Sequence, residues 1–140
     1  MNVVIQQLDI PNKNGRIYSK EVIQKALENA KEKLESGEML GELCIPNDPN
    51  IISGDASPPV NLAAVSHVVK RMWIEDGNLM GEVKILDTPN GKILKHMLEH
   101  DELRNSVAFR PSGFGKIDEN GFVSDYEFRS ISVMPSDIAS

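Results

Sequence analysis

A chain of 140 residues with 40% hydrophobic side chains can bury one core and leaves no room for a second independent one, so a single domain over residues 1–140 is expected. Fifteen basic against 21 acidic residues give a formal net charge of −6, which argues against nucleic-acid binding as the main task, because that needs a basic stripe to displace counterions. The single cysteine, Cys44, excludes an internal disulfide and fits a reducing compartment, where it is expected to pack as a small apolar group. No run approaches the roughly 20 apolar residues of a membrane span. The start Met1-Asn2-Val3-Val4-Ile5-Gln6-Gln7 lacks the basic region of a secretory signal, so the protein is expected to stay in the cell that makes it, with no membrane partner.

In chain order, residues 2–8 read as a strand that Pro11-Asn12-Lys13-Asn14-Gly15 breaks. Ser19 stands where an N-cap belongs, Glu21 falls in the first turn, and Val22, Ile23, Ala26, Leu27, Ala30 and Leu34 recur at helical spacing until Gly37. Residues 45–60 carry four prolines (46, 49, 58 and 59) among Asn, Asp, Ser and Gly, so they read as a loop. Such a loop borders a binding cleft or is a plain surface excursion. Leu62, Ala64, Ser66, Val68 and Met72 alternate with Val65, His67, Val69 and Arg71 in a strand ending at Asp76-Gly77-Asn78, which turns the chain into Leu79–Leu86 as a β-hairpin. Thr88 and Pro89 open a second helix with Ile93, Leu94, Met97 and Leu98 on its apolar face. A strand over residues 105–110, expected to end in a tight turn at Arg110–Gly115, and a long strand from Phe122 to Val133 complete the chain, with Asp118–Gly121 as a second hairpin turn. The tail after Pro135 is small and polar and is expected to fray.

Two chemical groupings follow from this order. His67 and Ser106 sit on separate predicted strands, and a serine hydroxyl becomes a nucleophile only when an imidazole takes its proton. By contrast, His96 and His100 have the spacing of a metal pair, yet no third ligand completes it, so no metal is expected and two solvated histidines are the reading. Gly91-Lys92 lacks the earlier glycine of a phosphate loop.

Several phrases in fixed order resemble the prohead, or capsid maturation, proteases of tailed bacteriophages. They are Asn12-Lys13-Asn14-Gly15-Arg16-Ile17-Tyr18, Ser66-His67, Gly81 to Gly91 with its Leu86-Asp87-Thr88-Pro89-Asn90-Gly91 ending, Ser106 with Gly113 and Gly115 downstream, and Ile131-Ser132-Val133-Met134-Pro135-Ser136. That family is related in fold to the herpesvirus assembly protease. The resemblance implies an α+β protein with a mainly antiparallel, barrel-like sheet and two principal helices, and a serine endopeptidase that needs no cofactor. Scaffold and major capsid proteins, and the protease's own ends, are the implied substrates. The implied place of action is inside the prohead in the host cytoplasm, and self-association is left open. Position by position, His67 takes the place of the base and Ser106 that of the nucleophile. Ser132 takes that of the orienting group, with Asp125 and Glu127 as carboxylate alternatives that face the other way if the strand alternates regularly. Arg110, Gly113 and Gly115 stand where the family carries an arginine and glycines, the expected place of charge stabilisation around an oxyanion. The alternative is a protease fold that has lost activity and serves as a capsid or scaffold component, because the third triad position holds no clear carboxylate.

Overall fold

A computed structural model describes residues 1–43 and 59–137. Cys44 and nearly all of the expected 45–60 loop lie outside the described residues.

Strand β1 (Asn2–Gln7) leads through the Pro11–Gly15 turn to helix α1 (Lys20–Glu35). Ser19 caps that helix as expected, its hydroxyl accepting the Val22 N–H at 3.3 Å, and Gly37 with φ +74° lets the chain leave it. Ile23, Ala26 and Ala30 form the buried face of α1, which packs on β6 and β3. Strand β2 is only Leu40–Glu42. Leu62–Ala64, expected to begin a strand, instead make one 3₁₀ turn because the Asn61 side chain accepts the Ala63 N–H at 3.1 Å.

Strands β3 (Val65–Glu75) and β4 (Asn78–Ile85) form the expected hairpin. Asp76 at φ +51° and Gly77 at φ +77° supply the two left-handed residues that its two-residue turn requires. Helix α2 (Pro89–Glu99) is capped by Thr88, whose hydroxyl accepts the Gly91 N–H at 2.9 Å and donates to the Val65 carbonyl. It buries Leu94 and packs on β3. A short third helix, α3 (Asp101–Arg104), which the sequence did not signal, precedes the ribbon of β5 (Val107–Ile117) and β6 (Val123–Pro135). The expected tight turn at Arg110–Gly115 is corrected: β5 runs straight through it, and the glycines are absorbed by irregularities in pairing at Ser112/Gly113 and Phe114/Lys116. The Asp118–Gly121 turn is as expected, with the Asp118 carboxylate accepting the Asn120 and Phe122 N–H groups.

The four-stranded sheet runs β1-β4-β3-β2, all antiparallel. A parallel bridge between Leu43 and Val133 joins its β2 edge to β6, and at the other edge β5 lies against β1, where Arg110 donates to the Ile5 carbonyl. The strands therefore curl into a barrel-like wall, and the fold is α+β. Inside it, Tyr126 is the centre of an edge-to-face chain with Tyr18 at 5.4 Å and Phe128 at 5.2 Å, closed by Ile5, Leu79, Val83, Ile131 and Val133.

Candidate active site

His67 stands on β3 beside Val65 and Val69 and is wholly buried. Its partner across the sheet is Gly41 of β2, and the missing side chain there is what admits the ring. A Cβ on Gly41 would lie 2.1 Å from His67 Nε2 and 2.5 Å from the Ile131 carbonyl oxygen. The imidazole crosses this gap and reaches β6, where Nε2 lies 2.8 Å from that carbonyl. A carbonyl only accepts, so Nε2 carries the proton and donates it. Nδ1 is then the basic nitrogen, and the Ser66 hydroxyl donates to it at 2.9 Å. Phe109 of β5 closes the remaining side with its ring edge-to-face at 5.5 Å.

Burial pushes the His67 pKa down to about 4, and the Ile131 hydrogen bond opposes that shift only partly. The imidazole is therefore neutral and held in one tautomer at physiological pH, as a general base must be. The same shift makes stability depend on pH. With a folded pKa below the unfolded value of about 6.5, the unfolded chain binds the proton first. The contribution is complete above pH 6.5 and is lost as pH falls toward 4, to a total of about 3 kcal/mol. Denaturant titrations of the wild type and His67→Gln at a series of pH values should differ by this component; parallel curves would show that the ring does not titrate as a buried group.

Ser106 lies in the turn between α3 and β5, one residue before the strand begins, and is exposed. Its backbone is fixed, the N–H donating to Leu103 and the carbonyl accepting from Ser136 at 2.8 Å, while its hydroxyl makes no hydrogen bond among the described residues. Phe109, which touches the His67 ring, is three residues further on, about 10 Å along an extended chain. Ser106 and His67 thus flank one short segment of β5 without a direct hydrogen bond.

The bond expected between Ser132 and His67 is not formed. Ser132 pairs with Arg110 across the ribbon, whereas the inward residues Phe109 and Val133 point the other way, so alternation turns Ser132 from the ring. Its hydroxyl is buried without a partner among the described residues. Asp125 and Glu127 are exposed, Asp125 paired with Lys116, and neither can touch a fully buried imidazole. Arg110 Nη1 donates to the Phe109 carbonyl at 2.7 Å and, longer, to that of Ile5. Gly113 faces a different demand: a Cβ there would lie 2.1 Å from the Glu127 carbonyl oxygen, so the close approach of β6 already explains the glycine.

The sequence reading missed the groups that hold His67, namely Ser66, Gly41 and the Ile131 carbonyl. Ser66 was visible as the neighbour, but a backbone acceptor 64 residues away leaves no pattern in the sequence. Also missed was a buried ion pair beside this slot. Arg129 Nη2 lies 2.5 Å from Glu42 Oε1, with both side chains at most 10% exposed, and the pair also engages Ser112, the Pro59 carbonyl and the Asn61 N–H. Among the described residues no group of three metal-ligating side chains occurs; His96 and His100 stack, His100 Nδ1 donating to the His96 carbonyl.

A curled antiparallel wall encloses a neutral, doubly hydrogen-bonded histidine, and an exposed serine precedes the strand whose Phe109 packs on its ring. The family described as "Prohead core protein serine protease" matches residues 1–129, and the chain belongs to that family. It is a serine protease of phage head maturation. In fold the chain is similar to the solved bacteriophage T4 capsid assembly protease, gp21, with a TM-score of 0.75, 18% identity, and 95% of this chain and 79% of that one covered. No curated protein sequence matches it.

Proposed function

We propose that Ser106 is the nucleophile and His67 the base of an endopeptidase that cuts scaffold and major capsid proteins, and its own ends, inside the prohead in the host cytoplasm. The observation that carries this reading is the neutral His67, with one nitrogen protonated and anchored and the other basic, on the inner wall beside the strand that begins after Ser106. The arrangement is then a resting one. For catalysis the basic nitrogen exchanges the Ser66 hydroxyl for that of Ser106, which needs movement of the ring and of the start of β5; hydrogen bonds of this kind often tighten only with substrate in place. His67 takes the Ser106 proton, the alkoxide attacks the scissile carbonyl, and the proton passes to the leaving amine. Water, deprotonated by the same imidazole, then releases the acyl group.

The 2.9 Å bond from Ser66 to the basic nitrogen favours a second reading with Ser66 as nucleophile, but a wholly buried hydroxyl meets no peptide without a larger opening. Incubating the purified protein with the scaffold and major capsid proteins of the same phage should yield discrete fragments by mass spectrometry. No cleavage in either protein would favour the inactive capsid component.

A further inference from the structure

The seam between β1 and β5 holds a groove of about 350 Å³ lined by Val4, Gln6, Ile10, Asn12, Lys13 and Arg110, among others. Two buried polar atoms in this lining have no partner among the described residues: Gln6 Oε1, an acceptor, and Asn12 Nδ2, a donor. The orientation of each amide is set by its other end. Asn12 Oδ1 accepts the N–H groups of Asn14 at 2.9 Å and Arg16 at 3.0 Å, which leaves Nδ2 as the unused end. Gln6 Nε2 donates to the Gln7 carbonyl, which leaves Oε1.

Buried polar groups are nearly always paired, and an unpaired one is costly. Both atoms are covered in the resting structure, and a small opening of the groove lets this acceptor and this donor meet one N–H and one C=O of an extended peptide. Beside them Val4 and Ile10 are 51% and 43% exposed, apolar surface on which side chains of such a peptide can rest. β1 ends the four-stranded sheet, and β5 lies against its outer side without joining it in a ladder, which leaves the groove along their seam.

The groove connects to Ser106 through the main chain. Lys13 Nζ donates to the Ser136 carbonyl at 3.2 Å, Ser136 N–H donates to the Ser106 carbonyl at 2.8 Å, and the Ser136 hydroxyl donates to Asn105. We propose that this groove is a substrate subsite that grips an extended polypeptide by its backbone, Gln6 accepting an N–H and Asn12 donating to a C=O. The inference builds on the reading of Ser106 as nucleophile, which gives the groove its substrate.

The test uses an acetylated, amidated hexapeptide of Ala, Val and Thr added to the isotope-labelled protein at millimolar concentration. The Asn12 side-chain amide resonances should move saturably, with those of Gln6. Gln6→Leu removes the acceptor, and Asn12→Asp removes the donor while keeping the oxygen that holds the turn. Each should weaken binding by about fivefold to tenfold, the worth of one net hydrogen bond. Affinity unchanged in Asn12→Asp, or shifts confined to other faces of the molecule, would overturn the subsite. Reaction of Ser106 with a fluorophosphonate reads the catalytic assignment separately. If that fails while Asn12 still responds to peptide, the nucleophile reading falls and the peptide groove stands.

Discussion

Ser106→Ala should lose processing of scaffold protein by at least about 10⁴-fold, in line with what removal of a serine nucleophile costs in other hydrolases. The fold should be untouched. Ser106 is exposed, its hydroxyl is bonded to nothing among the described residues, and the backbone bonds to Leu103 and Ser136 survive the substitution. Fragment yield with time, read beside a thermal unfolding curve, checks both halves of this expectation. Processing at the wild-type rate would remove Ser106 from the mechanism.

Arg129→Met should destabilise the protein by about 3–5 kcal/mol, because it strands the Glu42 carboxylate in the interior. The position explains the size. Glu42 follows Gly41 on β2, over which the His67 ring passes, and Arg129 precedes Ile131 on β6 by two residues, so the pair ties together the two strands that form the histidine slot. Pairing the change with Glu42→Leu removes the uncompensated charge and should restore most of the loss, since a buried ion pair replaced by apolar groups is often near neutral. Guanidinium unfolding of the single and double variants measures it. If the single variant unfolds with the wild type, the pair is not a buried one.

Local chemistry made much of this fold legible in the sequence. Ser19 and Thr88 announced their helices as N-caps, Asp76-Gly77 announced its hairpin through the left-handed turn it builds, and Asp118–Gly121 announced the second. The errors came where tertiary pairing overrode a local signal. Gly113 and Gly115 look like a turn, but β6 presses against both, pairing Gly113 and passing Gly115 in an irregularity of a strand that continues. Leu62–Ala64 alternate like a strand, but the Asn61 cap winds them into a turn. At the site, the strand position of His67 between Val65 and Val69 was legible from the alternation, whereas the atoms that fix its tautomer belong to residues distant in the chain or to the backbone itself. Ser132 shows the limit of reasoning by position. Its place in the last strand matches the resemblance, and only the register with Arg110 reveals that it faces away from the ring.

Reaction of the protein with a fluorophosphonate, with the adduct located by tandem mass spectrometry, reads the pairing of Ser106 with His67. The pairing predicts a single adduct on Ser106, absent in Ser106→Ala and formed far more slowly in His67→Ala. An adduct on Ser66, or a Ser106 adduct formed equally fast without the imidazole, would contradict it.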